Sequence, residues 1–145
     1  MKIEELIQRL EIATVASRYI DCHLWVVSKG GDARMRVCDS GTKDFVWERG
    51  VDGFWVRDVV NFKSVPRYTD SIDAAIALCK RVLPDANCYG VGKDKTGWSA
   101  FVSRNSVESG HWLVEAEAHT APIALCLAIM KAKLTLESAA MSKEN

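Results

Sequence analysis

Four side chains in one short segment carry the most distinctive chemistry of this chain: Trp47, Arg49, Trp55 and Arg57. Each tryptophan stands two residues before an arginine, so on a strand each pair projects from a single face. Indoles stack on flat groups, and guanidiniums grip anions with two parallel hydrogen bonds. Two such pairs facing each other would hold a small anionic nucleotide or single-stranded nucleic acid. Arg34 and Arg36 lie nearby in sequence. The competing arrangement turns both tryptophans to the core and leaves the arginines to reach water or to cap carboxylates such as Glu48 and Asp58.

Other combinations are weaker. Glu115 and Glu117 share one face of a strand, about 7 Å apart, a spacing that suits an acid–base carboxylate pair in a hydrolase. That face of an antiparallel sheet is ordinarily the wet one. A nucleophilic thiol would need Cys88 to meet His111 or His119 in space. Cys22, His23 and Cys38 have ligand chemistry for zinc but lack paired spacing, and neighbours on a strand point to opposite faces. Gly90-x-Gly92 leads into a turn rather than a helix, which does not match a phosphate-binding loop. No motif calls for a cofactor or a metal.

The elements that must position these residues follow from periodicity. Residues 2–14 read as an amphipathic helix, with Ile3, Leu6, Ile7 and Leu10 on its apolar stripe. Cys22–Val27 reads as a short β-prone run, and Arg34–Cys38 as a second one. Phe45–Arg49 and Phe54–Arg57 form a hairpin, closed by Gly50-Val51-Asp52-Gly53. Pro66 marks a boundary. Ser71 is the favoured N-cap of a helix striped by Ile72, Ala75, Ile76, Cys79, Val82 and Leu83, and Pro84 ends it. Three strands follow near 86–92, 97–103 and 111–118. Thr120-Ala121-Pro122 then opens a last helix that is apolar nearly all round from Ile123 to Leu136, so it should be central and buried.

Composition bounds the function. The chain has 145 residues, 48% hydrophobic and 26% charged, with 19 basic side chains balancing 19 acidic ones. That excludes a disordered chain and removes the electrostatic reason to expect nucleic-acid or membrane binding. Helix–three strands–helix from 71 to 137 imitates a double-stranded-RNA-binding module. Yet His119-Thr120-Ala121-Pro122-Ile123 at its last helix holds no lysine or arginine for phosphates. The longest uncharged stretch, 118–130, is shorter than the roughly 20 residues of a membrane span. Met1-Lys2-Ile3-Glu4-Glu5-Leu6 lacks the apolar core of a signal peptide. Five cysteines without a Cys-x-x-Cys pair fit reduced thiols in a cytoplasm, with Cys79 and Cys126 acting as small apolar residues.

Arg67-Tyr68-Thr69-x-Ser71-x-Asp73-Ala74-Ala75-x-Ala77-Leu78, then Gly97-Trp98-Ser99-Ala100, resembles small proteins of tailed phages and prophages, the phage ABA sandwich domain proteins. So do Glu115-Ala116-x-Ala118-x-Thr120-Ala121-Pro122-x-Ala124-Leu125-Cys126-x-Ala128 and the opening Leu6-Ile7-x-Arg9-Leu10-Glu11-x-Ala13-Thr14 with Ser17-Arg18-x-Ile20-Asp21. Residues 28–66 match least. The resemblance implies a phage or prophage origin and the host cytoplasm, and no reaction.

The expectation is therefore an α+β fold, an α/β/α sandwich whose mainly antiparallel sheet is flanked by helices. One domain should span 1–137, made of a helix and hairpin part (1–66) and a helix–three strands–helix core (67–137), with 138–145 fraying. The expected role is a non-catalytic binding module, a candidate homo-oligomer, that interferes with host physiology or defence. A second reading is an interaction protein that docks on a host or phage protein through the hairpin. The alternatives are sequestration of a small anionic nucleotide by Trp47, Arg49, Trp55 and Arg57, and hydrolysis by Glu115 and Glu117 or a Cys–His pair.

Overall fold

The computed structural model describes residues 1–30, 33–38, 44–107 and 110–144, with backbone only at 36–38 and 142–144. Helix α1 (Ile3–Ile12) carries Leu6, Ile7 and Leu10 into the core, and its first-turn Glu4 and Glu5 favour the positive end of the helix dipole. Helix α2 spans Arg18–Ser28 and contains the whole of Cys22–Val27. The β-prone reading of that run is corrected. Ser17 Oγ caps α2 by accepting from the Ile20 amide at 3.2 Å, and burial of Ile20, Leu24 and Val26 outweighs the weak local preference of valine for strands.

Strands β1 (Arg34–Cys38), β2 (Asp44–Val51) and β3 (Phe54–Asn61) form one antiparallel sheet, with β2 in the middle. A single 3-10 turn (Phe62–Ser64) leads to helix α3 (Ile72–Val82), where Ser71 Oγ accepts from the Ala74 amide at 3.2 Å, as its position before the stripe indicates. Strands β4 (Cys88–Asp94), β5 (Gly97–Ser106) and β6 (Gly110–Ala118) make a second antiparallel sheet in sequence order. Helix α4 (Ala121–Glu144) completes the chain, with Thr120 Oγ1 accepting from the Ile123 amide at 3.4 Å. It continues past 137 through the segment expected to fray.

The fold is α+β. The single shared sheet suggested by the strand order is two three-stranded sheets, because each set of strands is a local meander and the 62–87 segment separates them. Helix α4 lies on all three strands of the second sheet, and α1 and α3 pack on α4. Helix α2 touches α1 and α3, and the first sheet rests on α2 through Trp25, whose ring meets Phe45 and Trp47 edge-on at 5.7 and 5.4 Å. Ile123 to Met130 are all buried, so the helix that is apolar on every side is the centre of the molecule. Each large side chain there contributes about 1.5–3 kcal/mol of burial.

A polar anchor fixes the first sheet to this centre. Asp21 is fully buried and accepts from the Thr69 amide at 2.8 Å and from Thr69 Oγ1 at 2.7 Å. It also pairs with Arg18 at 2.9 Å. The Arg18 guanidinium donates in turn to the carbonyls of Phe62 and Val65, so the exit from β3 is tied to the start of α2. Buried acceptors satisfied in this way hold one geometry, since an orphaned partner costs about 1–3 kcal/mol.

Candidate interaction surface

The hairpin owes its geometry to two residues. Asp52 and Gly53 have φ of 51° and 86°, the left-handed pair that closes a two-residue turn whose twist matches the strands. Register then follows by counting: Val51 opposite Phe54, Gly50 opposite Trp55, Arg49 opposite Val56, Glu48 opposite Arg57 and Trp47 opposite Asp58. Directly opposed residues share a face. Trp47 and Arg49 therefore lie on one side of the sheet, and Trp55 and Arg57 on the other. The four do not make one surface, which corrects the expectation that their faces meet.

Trp47 points inward. Its ring packs on Trp25, and Lys29 Nζ lies 4.3 Å from the Trp25 ring centroid. Arg49 donates to the Lys29 carbonyl at 3.2 Å. Burial, then Arg81 and Arg49, lower the pKa of the Lys29 ammonium. This side of the sheet serves packing.

On the outer side Glu48 is the centre, only 1% exposed. Its carboxylate accepts from Arg34 Nε at 2.7 Å and from Arg57 Nε at 2.8 Å, one from each neighbouring strand. The Arg34 guanidinium carbon stands 4.4 Å from the Trp55 ring centroid. Gly50, opposite Trp55, places no side chain between the ring and β1. The result is a stacked arginine–tryptophan platform over a buried carboxylate, a cation–π contact worth about 0.5–1 kcal/mol where exposed. The side chain of Arg36 lies outside the described residues.

Strand β3 is the edge of this sheet and is open to solvent along nearly all its length. Phe54 is 75% exposed, Trp55 48%, Val56 50% and Val59 62%. Apolar side chains thus project from both faces of one edge, where a soluble protein usually places charge or proline. The sequence carried a signal for this: Phe54 to Val60 does not alternate apolar with polar, as a half-buried strand should.

The remaining candidates are dispersed. Glu115 and Glu117 are both exposed and line an open recess of about 580 Å³ with Glu11, Asp94, Ser99 and Lys131, but His111 is not among its walls. Asp94 Oδ1 accepts from Thr96 Oγ1 and from the Thr96 and Gly97 amides, which lowers its pKa, and this belongs to the β4–β5 turn. Cys88 is opposite Ser103 and His111 opposite Asn105, so β5 lies between thiol and imidazole. Two strand spacings exceed 9 Å, beyond a nucleophile–base hydrogen bond. His119 follows the far end of β6. Cys22 and His23 lie on α2, both buried, and the Cys38 side chain lies outside the described residues. Among the described residues no group of three His, Cys, Asp or Glu side chains is placed to hold a metal, and no helix is long and apolar enough to cross a membrane.

Comparison of the chain with protein-family models, with curated proteins and with solved structures finds no match.

Proposed function

We propose that this chain is a non-catalytic binding module that takes up a protein partner along the edge of β3. The observation that carries the reading is the eight-residue outer strand from which Phe54, Trp55, Val56 and Val59 all project into solvent. An added strand would satisfy the outward main-chain groups, and the exposed side chains would supply apolar contact. Tryptophan in a rigid stack presents large contact area at little entropic cost. The resemblance to phage ABA sandwich proteins adds the setting: a phage or prophage accessory protein in the cytoplasm of a bacterial host, acting on host physiology or defence.

The alternative in which a nucleotide is clamped by the tryptophan–arginine pairs has less behind it, because the pairs occupy opposite faces and Arg57 already faces Glu48. A hydrolase acting through the recess glutamates also has less behind it, because both are exposed in an open recess where Asp94 is held by its own turn and Lys131 pairs with Glu11 at 3.6 Å.

The test is affinity capture from host cells, with the partner identified by mass spectrometry and re-tested in purified form. Trp55→Ala and Phe54→Ser should each weaken the purified interaction at least tenfold, with circular dichroism confirming the fold. Equal binding by both variants overturns the reading.

A further inference from the structure

The main-chain pattern of β3 narrows the partner further. In a two-residue hairpin the residues flanking the turn exchange both hydrogen bonds, and bonded pairs then alternate along the ladder. Phe54, Val56, Asp58 and Val60 are therefore bonded to β2, and Trp55, Arg57 and Val59 aim their N–H and C=O groups outward. One of these outward amides already has a partner, since the Val59 N–H donates to Asp58 Oδ1 at 2.8 Å. Trp55 and Arg57 supply the two complete open rungs.

Resting on the docking reading above, we infer that the β3 edge pairs with β3 of a second copy of this chain, antiparallel about a twofold axis through Val56. In that register Trp55 faces Arg57 of the other copy, and Arg57 faces its Trp55, so each open rung meets an open rung. The same register sets an indole beside a guanidinium twice on the outer face, a pairing of opposite character. Arg57 keeps its Nε on Glu48, and its side chain is 53% exposed, which leaves the rest of the guanidinium to the neighbour. Shifting the axis by one residue to Arg57 puts like charges opposite each other and pairs Trp55 with Val59, whose amide is taken. Moving it to Asp58 sets two carboxylates together. Of these three registers, the one centred on Val56 has the complementary pairs.

Pairing joins the β1–β3 sheet of one copy to that of the other as one sheet of six strands and removes the open β3 edge. The interface is isologous, and the turn residues and Val59 mark its two ends.

Native mass spectrometry and sedimentation of the purified chain should show a particle of twice the 16.1 kDa chain mass. Val56→Lys sets two ammonium groups against each other on the axis and should return the folded chain to monomer. A Val56 pair is of the non-bonded type, with Cα atoms about 4.5 Å apart, which a disulfide can span. Under diamide, Val56→Cys should cross-link, whereas Val59→Cys, with the same native thiols, should not exceed the wild-type background. The cysteine pair decides the matter if Val56→Lys fails to fold. A monomeric wild type, a Val56→Lys dimer, or equal cross-linking at 56 and 59 overturns self-pairing. A monomer that still binds a purified partner through Phe54 and Trp55 rejects self-pairing and keeps the docking reading.

Discussion

Glu48 and Arg57 stand directly opposite each other on β2 and β3, and the arginine Nε donates to the carboxylate at 2.8 Å while the acid is sealed from solvent. Arg34 holds the other carboxylate oxygen from β1. Because the guanidiniums remain about half exposed, their charges are screened and the acid is the costly member. Glu48→Ala removes a shared acceptor and is expected to lower stability by about 2 kcal/mol in urea unfolding. Arg57→Ala leaves Arg34 in place and should cost about 1 kcal/mol. The reverse ranking would show that arginine packing, rather than the buried charge, dominates this face.

Asp21 binds α2 to the segment before α3 through both the amide and the hydroxyl of Thr69. Asp21→Ala orphans two donors and the Arg18 charge together, so a loss of about 3 kcal/mol is expected. Thr69→Val keeps the amide bond and should cost about 1–2 kcal/mol. A double-mutant cycle measured by denaturant midpoints checks the coupling; strict additivity would show that the contact contributes nothing of its own.

His23 is 7% exposed, and its Nε2 has no hydrogen-bond partner among the described residues. Burial, then the amino terminus and Arg9, lower its pKa from 6.5 to about 4. The Tyr19 ring packs against it edge-on with centroids 4.6 Å apart. The unfolded chain therefore binds a proton between pH 6.5 and 4 that the folded chain refuses. The stabilisation from this depressed pKa is complete above pH 6.5 and falls as pH drops toward 4. His23→Leu should flatten that part of the stability–pH curve relative to wild type, with the carboxylate titrations common to both. Parallel curves for the two proteins between pH 4 and 6.5 would remove His23 as the cause.

Gly90 has the Phe101 ring lying over it, and a Cβ built there would come within 2.7 Å of that ring. Gly90→Ala must displace Phe101, so a loss of about 1 kcal/mol in thermal unfolding is expected despite the ordinary backbone at this position. In a Phe101→Ala background the same substitution should be neutral or stabilising, because alanine is the better strand residue. A loss of equal size in both backgrounds would place the strain elsewhere.

Much of the local structure was legible in the residues. Ser71 before its stripe and Thr120-Ala121-Pro122 before an apolar run each act within a few residues of themselves, and Gly50-Val51-Asp52-Gly53 marked a reversal without fixing which two residues turn. Ile123–Met130 shows its central place in the same way, since a helix without a polar side has nowhere else to lie. Helix α2 was not legible. Val26 and Val27 favour strands locally, and burial of Ile20, Leu24 and Val26, with contacts about fifty positions away such as Asp21 with Thr69, outweighs that preference.

The outer site shows the division most clearly. Sequence alone determined that Trp47 and Arg49 share a face, and that Trp55 and Arg57 do, because side chains alternate along any strand. Whether those faces coincide depends on the parity of the loop between them. With Val51 and Phe54 flanking the turn, opposed positions sum to an odd number and the pairs part; a loop one residue longer would bring them together. Tertiary structure settled that single residue through the positive φ of Asp52 and Gly53 and through the pull of Phe45 and Trp47 onto Trp25. The same choice left Glu48, which the sequence marked only as one carboxylate an arginine could cap, enclosed beneath Arg34 and Arg57 and beside an open strand.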